Sequence, residues 1–127
     1  VEGGPVNAKG KPLKQPVYVH RADDEPLAVA GLWTRWKDPG DPDGRWLHSV
    51  TVITTAANAA MAAVHDRMPA ILPSDVWAMW LDPGVVDPNA LTPLLVGCHD
   101  DLLVMHEVST DVNNVRNNRP DLIEPST

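Results

Sequence analysis

Proline constrains this chain more than any other residue type. Thirteen prolines are scattered from Pro5 to Pro125 along 127 residues. Each removes a backbone donor and fixes φ, which interrupts a helix or a central strand wherever it falls. The chain therefore predicts short elements and many loops, not a helical bundle. Hydrophobic residues make up 43%, enough for a packed core, with five Trp, one Tyr and no Phe as aromatic bulk. At this length the chain is one domain or part of one.

The pattern of apolar and turn residues places the elements. Residues 1–15 read as a loop rich in Gly, Lys and Pro. Pro16–His20 reads as a strand, Asp23–Pro26 as a turn, and Leu27–Trp33 as a second strand, apolar on both faces and hence central. These two strands are expected to form a hairpin. Lys37–Arg45 is a polar surface loop, and Trp46–Thr55 a strand rich in Val, Ile and Thr. Ala56–Val64 predicts a helix with Thr55 as N-cap. Arg67–Leu72 is expected to be extended, and Ser74 to cap a short helix through Leu81. Asn89–Val96 reads as a further helix, Asp101–Val108 as a strand, and Asn113–Thr127 as irregular. The expected fold class is α+β, mainly antiparallel strands in a bent or barrel-like sheet with short flanking helices.

Charge and cysteine content narrow the function classes. The net charge of −7 by itself argues against a polyanionic partner. A local basic cleft can still sit on an acidic protein. No apolar run is long enough to span a membrane, and the first residues, Val-Glu-Gly-Gly-Pro, are not a secretory signal. The single cysteine, Cys98, excludes an intrachain disulfide and fits a reducing compartment. It reads either as a nucleophile or as a small buried filler.

The stretch from Thr54 to Pro69 carries the most chemistry. Thr54 and Thr55 place two hydroxyls where a strand is expected to enter a helix, a setting suited to phosphate. The far end of that helix delivers His65, Asp66 and Arg67 together. His65 is of the one side-chain type suited by its ordinary chemistry to general acid–base work, or it merely complements a helix terminus. Arg67 has the planar fork that grips phosphate, or it pairs with Asp66 or Asp75. Adjacent residues diverge, so Asp66 is not expected to orient His65. Trp33 and Trp36 suit base stacking or core packing, the core being the expectation for Trp33. His99 with Asp100 and Asp101, and His106 with Glu107, lack metal-site spacing, so no metal and no cofactor is expected.

Taken in order, several motifs resemble one family. They are Ala30-Gly31-Leu32-Trp33, Val52-Ile53-Thr54-Thr55-Ala56-Ala57-Asn58, His65-Asp66-Arg67-Met68-Pro69-Ala70-Ile71-Leu72, Trp80-Leu81 and Val112-Asn113. Lys14-Gln15-Pro16-Val17-Tyr18 resembles the approach to the family's central strand. This set, from about residue 14 to about 125, is similar to the SOS-response-associated peptidase (SRAP) domain. The resemblance implies an abasic-site sensor that binds single-stranded DNA. In that family an N-terminal Cys, exposed by removal of Met, forms a thiazolidine crosslink with the lesion. The same Cys is linked to autopeptidase activity, and a lyase-type activity is implied for the intact protein. His65 matches the family's catalytic His. Arg67 is implied to hold phosphate, and Thr54 to lie near the lesion's backbone.

The N-terminal Cys and its Asn and Glu helpers have no match here. Residues 1–127 are therefore expected to be the C-terminal portion of a single SRAP domain. The expected partners are abasic single-stranded DNA and the missing N-terminal half, with no membrane and a monomeric state. The implied setting is the bacterial cytoplasm, at the nucleoid when DNA is damaged. Two other functions remain open: a DNA-binding module without covalent chemistry, and an acidic scaffold lacking catalysis.

Overall fold

A computed structural model describes Gly10 and residues 14–126. Apart from Gly10, Lys14 and Gln15, the loop expected over 1–15 lies outside the described residues, as does Thr127. The chain divides into two compact units, one spanning Arg21–Leu103 and the other made of the flanking segments up to His20 and from Val104.

The larger unit holds most of the elements. Strand β2 (Gly31–Lys37) pairs antiparallel with β3 (Trp46–Val52), from Gly31 opposite Val52 to Lys37 opposite Trp46. Strand β4 (Thr54–Ala56) pairs antiparallel with β5 (Arg67–Pro69). Between those two lies α1, only Ala59–Ala62. Helices α2 (Trp77–Leu81) and α3 (Pro88–Leu91) follow, each adjoined by a 3-10 turn. The α+β class thus holds. The bent or barrel-like sheet does not: the described strands form three separate two-stranded sheets and no closed barrel. With elements this short, backbone pairing stays local and no long sheet accumulates the twist needed to close.

The core of this unit is small. Ala30, Ala70 and Leu72 are buried, and Ile53, Val76, Trp80, Leu94 and Leu95 pack around them. At its centre three backbones form a closed ring of hydrogen bonds. Ile53 N–H donates to the Ala30 carbonyl at 2.9 Å, Ala30 to Ala70 at 2.8 Å, and Ala70 to Ile53 at 2.9 Å. Alanine at two of the three positions keeps side-chain bulk low where the backbones converge.

The β2–β3 turn follows its sequence closely. Asp38 Oδ1 accepts from Gly40 N at 2.8 Å, and Asp41 Oδ1 accepts from Asp43 N at 3.0 Å. Gly44 has φ +59°, and a Cβ there would stand 2.6 Å from Lys37 Cε. This position therefore calls for glycine by its conformation, since the flexible end of the Lys37 side chain can move aside.

The flanking unit contains β1 (Val17–Arg21) and β6 (Leu103–Glu107), which pair with each other. Val108 N donates to the Pro16 carbonyl, and Gln15 Nε2 to the Val108 carbonyl. Tyr18, His20 and His106 group their rings 5.1–5.6 Å apart. Arg119 clamps the largely irregular tail through Asp111 and Asp121.

Several expectations are corrected. Strand 16–20 forms no hairpin with 27–33, because β1 pairs with β6 and β2 with β3. The second strand starts at Gly31, and Trp33 is 73% exposed, not core. Residues 28–30 instead spend their backbone groups on Ala70 and Leu72. The helix expected over 56–64 contracts to four residues because Thr54–Ala56 is held in the ladder with β5, and Asn58, a stronger cap than Thr, starts the helix. Ser74 does not cap its helix; Pro73 precedes a 3-10 turn there, and Asp87 caps α3.

Candidate functional site

Strand alternation builds the site. In the β4–β5 pair, Thr54 faces Pro69, Thr55 faces Met68 and Ala56 faces Arg67. Successive side chains point to opposite faces. Thr55 and Met68 share the inner face, where Met68 is 1% exposed. Thr54 and Arg67 share the outer face. Arg67 Nη2 donates to Thr54 Oγ1 at 2.8 Å and to the Thr54 carbonyl at 2.6 Å.

The Arg67 side chain is thereby fixed, yet its charge is not neutralised. Among the described residues no carboxylate lies within ion-pair distance of it, neither Asp66 nor Asp75 included. A guanidinium has five N–H donors, so anchoring through Nη2 leaves those on Nε and Nη1 to meet a phosphate.

His65 stands beside it on the loop that closes α1. Its own N–H donates to the Met61 carbonyl at 2.9 Å. It lies past the last helical residue of a four-residue helix, so complementing a helix dipole does not account for its place. The ring Nδ1 accepts from Arg67 N–H at 3.0 Å and lies 3.1 Å from Asp66 Oδ1 and 3.2 Å from the Arg67 carbonyl. In the neutral ring Nδ1 accepts, and the proton sits on Nε2. In the charged ring Nδ1–H finds two acceptors. Each protonation state thus has a partner at Nδ1, the nitrogen that gains or loses the proton between them, and such an exchange is what general acid–base work uses. Asp66 does contact His65, against the expectation that adjacent residues would diverge.

The structure brings Thr54, His65 and Arg67 together and sets Thr55 on the opposite face. The helix N-terminus expected at Thr54–Thr55 is not there. The first turn of α1 is served by Asn58, whose Oδ1 accepts from Met61 N at 2.9 Å. Asn58 was overlooked in the sequence, although its rank as an N-cap was a usable signal. Its Nδ2 also donates to the Cys98 carbonyl at 3.1 Å and lies 3.7 Å from Cys98 Sγ. Burial pushes the Cys98 thiol up, and the charges of Asp100 and Asp101 add to that. A thiol held protonated is a poor nucleophile, in keeping with the buried-filler reading. His106 Nε2 lies 2.8 Å from the Ile123 carbonyl. Among the described residues no three His, Cys, Asp or Glu side chains gather in a metal-binding group, and no helix is long and apolar enough to cross a membrane.

Residues 6–115 match the SOS response associated peptidase family. The chain belongs to the SRAP family. It is 38% identical over 111 residues to the abasic site processing protein YoqW of Bacillus subtilis (strain 168), covering 87% of this chain and 48% of that protein. It is 36% identical over 126 residues to the abasic site processing protein HMCES of Xenopus tropicalis, covering 85% of this chain and 36% of that one. A crystal structure of a Bacteroides thetaiotaomicron protein superimposes with a TM-score of 0.78 at 24% identity, over 91% of this chain and 50% of that one. The chain thus spans about half the length of the B. subtilis relative, or less of the Xenopus one, and this SRAP chain shares its fold with the solved structure.

Proposed function

We propose that this chain is the C-terminal portion of a single SRAP domain that binds single-stranded DNA at abasic sites. One observation carries the reading: an Arg67 guanidinium fixed on Thr54, without a carboxylate partner among the described residues, two residues from an exposed imidazole partnered in both protonation states. That is a phosphate grip beside a proton shuttle. The names of the relatives, abasic site processing proteins, supply the lesion.

In this reading Arg67 and Thr54 hold the backbone phosphate at the lesion. Thr55, with its side chain beside Met68, fixes the register of β4. The covalent chemistry belongs to the intact protein, through an N-terminal Cys that this chain does not contain. The α-amine and thiol of that Cys condense with the ring-opened aldehyde carbon, forming one C–N and one C–S bond and releasing water. The product is a thiazolidine. His65 moves the proton that opens the sugar ring and the proton that lets water leave. The same Cys would remove the initiator Met as an autopeptidase, and a lyase-type activity accompanies it. The partner of this portion is the N-terminal half of the same domain. The protein acts as a cytoplasmic monomer, at the nucleoid when DNA is damaged.

Single-turnover crosslinking of an abasic oligonucleotide, measured beside equilibrium affinity in the intact protein, tests the proposal. His65→Ala and His65→Gln are both expected to slow adduct formation by about 10²–10⁴-fold with little change in affinity. Loss of affinity at an unchanged saturating rate would make His65 a positioning residue and would favour a module without acid–base chemistry at His65.

A further inference from the structure

The β2–β3 hairpin has two chemically distinct faces. Pairing of Trp33 with Val50, Arg35 with His48 and Lys37 with Trp46 places these six side chains on one face. Leu32, Trp36 and Leu47 lie on the other, with Thr34, Ser49 and Thr51. That second face continues the row of buried Ala30 and the neighbouring Ile53, yet Leu32, Trp36 and Leu47 on it are 57%, 53% and 63% exposed, and it carries no cation. The first face is different. Trp33 stacks on His48 with ring centroids 6.4 Å apart and planes 28° apart, and Arg35 lies 4.8 Å over the Trp46 ring. Trp33 is 73% exposed and Trp46 52%.

We propose that this face is a stacking surface for the bases of single-stranded DNA running past the lesion. The proposal rests on the DNA-binding reading of the Thr54–His65–Arg67 site and extends it to a second contact. Exposed indole faces accept any base by stacking. Cations between them supply the complement to phosphate. Among the described residues Arg35 and Lys37 have no carboxylate within ion-pair distance. The acidic residues of the hairpin, Asp38, Asp41 and Asp43, are confined to its turn. Asp38 and Asp41 accept from turn amides, and Asp41 also pairs with Arg45 at 3.3 Å. Cations and aromatics therefore hold the strands, and acids hold the tip. Continuity favours DNA over a protein partner, because β3 ends at Val52 and β4 begins at Thr54, which anchors Arg67.

The test is binding of the intact protein to a labelled, lesion-free oligo-dT of about 15 nucleotides, a length suited to several stacked bases. The double variant Trp33→Ala/Trp46→Ala is expected to bind about 5- to 100-fold more weakly. Trp33→Phe/Trp46→Phe should retain most of the affinity. Arg35→Ala should lower the salt slope by about one. Trp36→Ala/Leu47→Ala, on the face without cations, should bind normally if it remains folded by circular dichroism. Unchanged affinity of the Trp33/Trp46 alanine variant, while the abasic crosslink still forms, would overturn the stacking surface and leave the lesion site standing. Wild-type protein that neither binds the oligonucleotide nor reacts with an abasic one would overturn both. An alanine variant that keeps DNA affinity but changes oligomeric state would assign the face to protein contact instead.

Discussion

The β4–β5 pair has three residues on each strand, and the β2–β3 hairpin has seven. Ladder length alone would make the hairpin the more secure of the two. Burial says the opposite. Met68 in β5 is 1% exposed, whereas Val50 in β3 is 80% exposed and Trp33 in β2 is 73% exposed. A ladder fixes which residues face each other, but stabilisation by apolar side chains needs something packed on the face. The short pair has such cover on its Met68 side: Met68 Sδ meets Asn58 N at 3.3 Å and lies within van der Waals range of a Cβ built at Gly97. Its other side is left to Arg67 and Thr54. The small sheet thus has a structural face and a chemical face, set by alternation alone.

The sharpest way to break this comparison is to empty the structural face. Met68→Ala should destabilise the protein by about 2–5 kcal/mol, the range for removing a buried Met side chain. Thermal or urea unfolding measures it, and a loss near zero would mean that the two ladders are equivalent. The chemical face gives the next largest effect. Arg67→Ala should weaken binding across all DNA sequences and lower the slope of log affinity against log salt by about one unit. An unchanged slope would reduce the Arg67–Thr54 contact to a structural bond. Within the hairpin, Val50→Thr should change stability by no more than about 0.5 kcal/mol, because the side chain is already in water. A larger cost by the same unfolding measurement would reveal packing on a face described as open.

The smallest effect concerns an ion pair whose carboxylate is half exposed. Arg21 Nε and Nη2 reach Asp23 at 2.8 and 2.5 Å, and hydrogen bonding to that guanidinium lowers the Asp23 carboxyl to about 2. A carboxylate depressed in the folded state adds stability above the ordinary carboxylate range and loses it as pH falls through about 2. Because the pair is exposed, the contribution is slight. A carboxyl NMR titration should place Asp23 near 2 and return it toward the ordinary range in Arg21→Ala. No movement would remove Arg21 as the cause.

Legibility in the sequence followed the range of the interactions. The turn built from its own residues at Lys37–Arg45 was readable because Pro, Gly and Asp carry that geometry locally. The cluster His65, Arg67 and Thr54 was readable as a motif, and the structure does bring the three together. Strand partners were not readable. Whether 16–20 pairs with 27–33 or with 103–107 depends on contacts distant in sequence, and both choices satisfy the apolar pattern. The shortened helix was missed for a related reason. Ala-rich propensity over 56–64 is real but weak, and pairing of Thr54–Ala56 with Arg67–Pro69 outweighs it. Trp33 was misplaced because an apolar strand was equated with a buried one.

The ring of hydrogen bonds joining Ala30, Ile53 and Ala70 bears on how such a chain can vary. Every member of the ring uses main-chain atoms, so it places few demands on which amino acids occupy neighbouring positions. Its demand is for small volume at two points. Loops strung between those points, including the eight residues from Asp38 to Arg45, are free to lengthen, shorten or change composition without loosening the junction. A lineage descended from such a protein can therefore rewrite its periphery extensively while alanine persists at positions 30 and 70.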